Sequence, residues 1–210
     1  MQTTLDLKGA AAHFKKHDPH MAGMLSRSLA AFEPIVLPTP RNPDEYFTSI
    51  TRSIVGQQIS VKAAASVYAR LESVVGTVSP KHVLRASEAA LRAAGLSGQK
   101  TKYILHNAAI WHEVPIHSFN TMTDEEVIVE LTKLYGIGRW TAEMFLMFSL
   151  ARPDVFSFGD LGLMQGLYQN YGFKKHWRRK ILSTVEAWSP HRTIAALVLW
   201  HQKDNGPLLY

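Results

Sequence analysis

Cysteine is absent from all 210 residues. That excludes structural disulfides, cysteine-ligated zinc and cysteine-held iron–sulfur clusters. No apolar run approaches the roughly 20 residues that a bilayer span needs. The opening stretch MQTTLDLKGAAAHFKKHDPH has no signal-peptide core, so no membrane association is expected and the cytoplasm is the default compartment. There is no two-residue alternation long enough for a sheet, no internal repeat and no low-complexity segment. His13, His17 and His20 fall near helical spacing, yet no carboxylate completes an HExxH-like pattern, and Asp18-Pro19 should end the helix before His20. A solvated polar face is expected there, with no metal held by side chains. What the chain does have is 46% hydrophobic residues, enough for one core or for two lobes sharing one, and a net charge of +6. The positive balance favours a polyanionic partner.

Read in order, the pattern is helical throughout. A first helix runs from Leu5 to about Lys16, and Pro19 opens a second to about Phe32. Pro34, Pro38, Pro40 and Pro43 then make an extended connector, the best lobe boundary in the chain. Phe47, Ile50 and Ile54 mark one face of a helix that stops at Gly56. Ser60 caps the next, whose apolar positions Val61, Ala64, Ala65, Tyr68, Leu71 and Val75 follow the 3.6 period. Gln57, Gln58 and Ile59 therefore occupy a tight turn between two helices. Ser79-Pro80 starts a helix through about Ala94, which Gly95 to Gly98 breaks, and another amphipathic helix carries Lys100, Lys102, Tyr103, Ile104, Ala108 and Trp111. Thr123 with Glu126 is a capping box. Leu161 to about Tyr171 can form a helix with Asp160 at its start. Lys174, Lys175, Arg178, Arg179 and Lys180 then make the densest basic run, an exposed face opposite Trp177, Ile181, Leu182 and Val185.

The stretch LTKLYGIGRWTAEMFLMFSLARPDVFSFGD, residues 131 to 160, organises the rest. It reads as a helix end, the hairpin Tyr135-Gly136-Ile137-Gly138, a second helix from Arg139 to about Leu150, and an extended run delivering Asp160. Two glycines permit positive φ and close approach of a ligand. The helix that follows points its unpaired N–H groups at the turn, which makes a phosphate site from backbone. An ordinary αα-hairpin explains the glycines as well, a helix N-cap explains Asp160, and core packing explains each tryptophan.

Together these motifs resemble the helix-hairpin-helix DNA glycosylases. LYGIGRWTA followed by DVFSFGDLGLMQG looks like the 3-methyladenine glycosylases of the AlkA type, in the compact form without an N-terminal β domain. Ile54 to Ser60 is similar to that family's minor-groove loop, and Trp188 to Trp200 to its C-terminal helix. The resemblance implies an all-α fold of two lobes with the hairpin at the lobe junction: a middle lobe over 44–152, and a terminal lobe of 1–43 with 153–210. It implies Asp160 as the catalytic carboxylate, Trp140 and Trp200 as the aromatic base pocket, and Gln58 with Gln57 as the wedge filling the gap left by a flipped nucleotide. Gly136, Ile137, Gly138 and Arg139, together with Gly98 and Lys100, are the implied phosphate contacts. The hairpin carbonyls could also accept a cation.

The implied reaction is hydrolysis of an N-glycosidic bond to an alkylated purine in double-stranded DNA, by a monomer without cofactor. Such an enzyme would work in the cytoplasm, at the nucleoid of a bacterium, or in a eukaryotic nucleus. Relatives that also cut the strand carry a lysine after the hairpin arginine; here Trp140 stands there, which implies a monofunctional enzyme. Many relatives have a second acid just before the catalytic one, where this chain has Gly159. A helix-hairpin-helix DNA-binding module without catalysis, and a glycosylase for a different lesion, are the rival readings. Trp140 argues against oxidised guanine.

Overall fold

A computed structural model describes residues 5–31 and 35–204. Phe32 and Pro34, expected at a helix end and in the connector, lie outside the described residues. Twelve α-helices and no strand are found among the described residues: α1 Leu7–His17, α2 Pro19–Ala30, α3 Tyr46–Gly56, α4 Val61–Val75, α5 Pro80–Val83, α6 Glu88–Ala93, α7 Gly98–Ile110, α8 Asp124–Thr132, α9 Arg139–Phe148, α10 Leu161–Tyr171, α11 Arg178–Ala187 and α12 Arg192–Asp204. The chain forms two compact units, Met1–Pro40 with Leu146–Tyr210, and Arg41–Phe145. The second boundary falls inside α9, seven residues before the expected Arg152, because the buried end of that helix belongs to the terminal unit.

The Arg41–Phe145 unit is built on α3. Tyr46, Phe47, Ile50 and Ile54 are all about 1% exposed, at the 3- and 4-residue spacing that puts them on one face. Tyr46 stacks on Phe119 and meets the edge of Phe145, and Phe47 meets Trp111 edge-on, with centroids 5.0–5.9 Å apart. Such aromatic pairs add about 0.5–1.5 kcal/mol each beyond the area they bury.

Two expectations for this unit are corrected. Only Tyr68 and Leu71 of α4 are buried, and Val61 is 57% exposed, so much of that helix's apolar surface is open to water. The single helix expected from Pro80 to Ala94 is two: Ser87 turns its hydroxyl onto the Ala90 N–H and caps a fresh start at Glu88.

In the terminal unit, α12 is the central element. Ile194 through Trp200 are all within 2% exposure, so this helix is apolar on every side and surrounded by others. Asp18 ends α1 and caps α2 through Met21 N–H, and its other oxygen accepts from the Tyr171 hydroxyl at 2.8 Å and the Trp188 indole at 2.7 Å. One carboxylate thus ties the first two helices to α10 and the end of α11. Burial and the Asp18 charge push the Tyr171 phenol up from its ordinary range. Leu182, expected inside, is 42% exposed, whereas Ile181 and Val185 are buried.

Candidate active site and nucleic-acid interface

In the terminal unit, Asp160 is only 6% exposed at the N-cap of α10. Its Oδ1 accepts the Leu163 N–H at 2.8 Å and the Trp200 indole N–H at 3.1 Å. A short side chain held from two directions has its orientation set before any ligand arrives. Gly162 makes the second bond possible. A Cβ there would lie 3.0 Å from Trp200 Nε1 and 3.1 Å from Asp160 Oδ1, closer than ordinary contact allows. Four residues on, the same face of α10 has Gly166, where a Cβ would press on Leu199. The two glycines let α10 lie against α12. Trp200 is buried at 2%, with Phe148 6.0 Å away.

The loop leading to Asp160 is fastened to the start of α12. Asp154 takes a two-pronged contact from Arg192, Nε to Oδ1 and Nη2 to Oδ2, each 2.8 Å, and a hydroxyl from Ser189 at 2.8 Å. Burial raises the Asp154 carboxyl, but the Arg192 and Ser189 bonds outweigh it and hold it below the ordinary range. Thr193 closes the clasp, accepting from Val155 N–H and donating to the Arg152 carbonyl. Nothing in the sequence marks Asp154 or Thr193, since their partners lie about 40 residues away.

In the other unit, the hairpin joins α8 to α9. Only Gly136 has positive φ, at +77°, and a Cβ there would strike the Tyr103 ring. Gly138 does not have the positive φ expected of it. Nothing lies within 4 Å of where its Cβ would be, so its part is to leave the start of α9 open to close approach. Ile137 is buried, as an apolar anchor under the turn should be. Asn107, 1% exposed on α7, grips the Tyr135 peptide from both ends: Nδ2 donates to the carbonyl at 3.0 Å and Oδ1 accepts the N–H at 2.8 Å.

The turn of Gln57 and Gln58, the expected wedge, rests on the same scaffold. Gln58 is exposed with φ +60°, a left-handed conformation that a non-glycine residue adopts rarely. Gln57 faces the other way and donates its amide to the Gly136 carbonyl at 2.8 Å. Of the two expected wedge residues, then, only Gln58 projects, and Gln57 links the wedge turn to the hairpin. The Asn107 and Gln57 amides bring donors to the Tyr135 and Gly136 carbonyls of the hairpin, whose carbonyls could also have accepted a cation. Among the described residues no group of three or more His, Cys, Asp or Glu side chains is gathered as metal ligands would be.

The two cations expected on phosphate are engaged within the protein. Lys100 Nζ donates to the carbonyls of Val55 at 2.8 Å and Gln57 at 2.7 Å, closing the C-terminal end of α3, and burial pulls its ammonium below the usual lysine range. Arg139 spans Glu125 with two bonds of 2.8–2.9 Å and reaches Glu143 at 3.0 Å, which straps the start of α8 to the start of α9. What remains for a phosphate is backbone: the first N–H groups of α9 lie beyond the reach of its own ladder. Gly98 opens α7 behind a Ser97 cap. Trp140, in the first turn of α9, is 40% exposed.

The family model for the HhH-GPD superfamily of base excision DNA repair proteins matches residues 51–190. The chain belongs to the HhH-GPD superfamily. DNA-3-methyladenine glycosylase 1 of Schizosaccharomyces pombe is 31% identical over 163 residues, 74% of this chain and 72% of that protein. The DNA-3-methyladenine glycosidase of Bacillus halodurans superposes with a TM-score of 0.80 at 36% identity, over 93% of this chain and 89% of that one. The S. pombe 3-methyladenine DNA glycosylase in complex with abasic DNA has a TM-score of 0.77 at 28% identity, covering 93% and 97%. An 8-oxoguanine glycosylase/lyase of Clostridium acetobutylicum superposes at 0.73 with 15% identity, over 93% and 70%, which shows the shared HhH-GPD fold alone.

Proposed function

We propose that this HhH-GPD protein is a monofunctional DNA glycosylase that removes alkylated purines of the 3-methyladenine type and leaves an abasic site. The observation that carries the reading is the Asp160 carboxylate, buried at the head of α10 and oriented by Leu163 N–H and the Trp200 indole. As the bond from C1′ to the base nitrogen lengthens, its electron pair goes to the base and the sugar becomes oxocarbenium-like. Asp160 stabilises that charge and orients a water whose oxygen bonds to C1′ while its proton leaves through the carboxylate. A base already cationic from alkylation departs neutral, so no strong general acid is needed. Trp140 presents an exposed aromatic face beside the hairpin, which attracts an electron-poor cationic base by about 0.5–2 kcal/mol, whereas Trp200, only 2% exposed, serves through its indole bond to Asp160. Gln58 fills the gap in the stack, and Gly136 to Arg139 receive a phosphate on backbone.

Strand cutting would need an amine at the sugar. The position after Arg139 is Trp140; Lys133 is paired with Glu130 at 2.7 Å, and Lys100 is held against the Val55 and Gln57 carbonyls. The protein acts on duplex DNA as a monomer, in the compartment that holds the genome; among the described residues no helix is long and apolar enough to cross a membrane. Incubation with methylated duplex and chromatography of the released bases tests enzyme status and substrate together. Release of 3-methyladenine with strands that break only in hot alkali is expected. Stoichiometric breaks at neutral pH with a borohydride-trapped adduct would refute the monofunctional reading.

A further inference from the structure

The segment from Phe173 to Leu182 takes no part in the site above. Lys174, Lys175, Arg178, Arg179 and Lys180 place five positive charges within seven residues, all exposed, with no acidic residue between Tyr171 and Glu186. Among the described residues none of the five forms an ion pair, whereas Arg139 and Arg192 do. Two of them are parked on aromatic rings: Lys180 lies 5.2 Å from the Phe173 centroid and 4.9 Å from that of Trp177, and Lys174 lies 5.9 Å from Trp177. Lys175 and Arg178 instead line a groove of about 290 Å³ within the terminal unit, with Phe158, Met164, Ile181 and Leu182. Phe158 and Leu182 are 43% and 42% exposed, so the groove offers bare apolar side chains together with two cations that form no ion pair.

We propose that this groove holds a nucleotide flanking the lesion, with its sugar or base on Phe158 and Leu182 and its phosphate on Lys175 and Arg178. Three observations favour a nucleic-acid strand over an acidic peptide. The free charge is of one sign and dense, the arrangement to which a polyanion with regular spacing responds through counterion release. The volume is at the lower end of ligand pockets, about 300 Å³, room for one flat ring with its sugar and too little for a partner helix. Phe158 also stands two residues before Asp160, and two extended residues reach at most about 7 Å. A neighbour of a sugar held at Asp160 is therefore within reach of Phe158. The inference rests on the glycosylase reading and adds a contact that it does not require.

The test uses the full chain and a duplex carrying one tetrahydrofuran abasic analogue, with affinity measured across a salt series. Lys175→Ala/Arg178→Ala should weaken binding and make the slope of log affinity against log salt shallower by about two, since each lost phosphate contact removes roughly one unit. Phe158→Ala should weaken binding with the slope unchanged. Lys15→Ala/Lys16→Ala removes the same charge from the exposed side of α1 and should leave the slope as it is. An unaltered slope in the Lys175/Arg178 pair, or a change equal to that of the Lys15/Lys16 pair, overturns the proposal and leaves the groove to an acidic protein partner. Base release by the wild-type chain, measured on the same preparation, separates the two readings. Release with an unaltered slope in the pair defeats the groove alone; no release defeats the glycosylase assignment whatever the slope.

Discussion

Asn107→Ala removes both hydrogen bonds from the Tyr135 peptide and leaves a carbonyl and an N–H without their partners at the mouth of the hairpin. An unsatisfied buried backbone group costs about 1–3 kcal/mol. Both bonds are partly buried, which favours the lower half of that range, so the two together come to about 2–4 kcal/mol. For a chain of this length each kcal/mol moves the midpoint by about 2–4 °C, giving a fall of about 4–16 °C. Calorimetry reads the stability, and hydrogen exchange at the Tyr135 amide reads the local opening. Affinity for abasic duplex, measured well below the midpoint, should also fall, because Gly136 follows the released peptide directly. Asn107→Asp sharpens the test. Its carboxylate keeps the acceptor for Tyr135 N–H but faces the Tyr135 carbonyl, whereas the protonated form can donate there. The folded state thus favours the protonated acid and raises its pKa. The stability of this variant relative to wild type should be greater at low pH and lost as pH rises through that folded value. A cost below about 0.5 kcal/mol for Asn107→Ala, with wild-type DNA binding, would refute the role given to this side chain.

Asp160→Asn should bind abasic duplex about as well as wild type and lose most base release; release near the wild-type rate would mean that another group supplies the chemistry. Gly162→Ala forces a Cβ to within 3.0 Å of Trp200 Nε1, so single-turnover excision should slow while affinity for abasic DNA is kept, and equal loss of both would point to general unfolding. Gln58→Ala should weaken binding to abasic duplex more than to undamaged duplex, because only the former has a gap to fill; equal losses would return Gln58 to a turn-forming role.

The features legible in the sequence are those closed over short distances. Thr123 and Glu126 form their capping box within three residues, and Asp160 caps α10 through Leu163 at the same spacing. The buried face of α3 follows from its period alone. What escaped is set by partners far along the chain. Arg139 looks like an open cation until Glu125, fourteen residues back, folds against it. Lys100 and Gln57 find carbonyls 45 and 79 residues away. The exposure of α4 was also unreadable, since alanine and valine at the right period fit a thinly covered helix as well as a buried one. Between α5 and α6 the reverse happened: helix formers on both sides hid the break after Val83 and the fresh start that Ser87 caps.

Lys100, Tyr103 and Asn107 lie on one face of α7, at spacings of three and four residues. Between them they fix the Gln57–Gln58 turn, the ring that backs Gly136, and the hairpin backbone at Tyr135. Lys100 and Asn107 are separated by about 10 Å along the axis, at 1.5 Å per residue. A helix is stiff over that length, so α7 acts as a ruler whose two marks are set during folding. If the chain binds duplex as proposed, the misfit falls on the nucleic acid, which would have to bend and unstack to reach both marks. Duplex that is already weakened by a poorly paired base meets them at lower cost. On the proposed glycosylase reading, damage would be sensed first as softness of the duplex, before any atom of the altered base is touched.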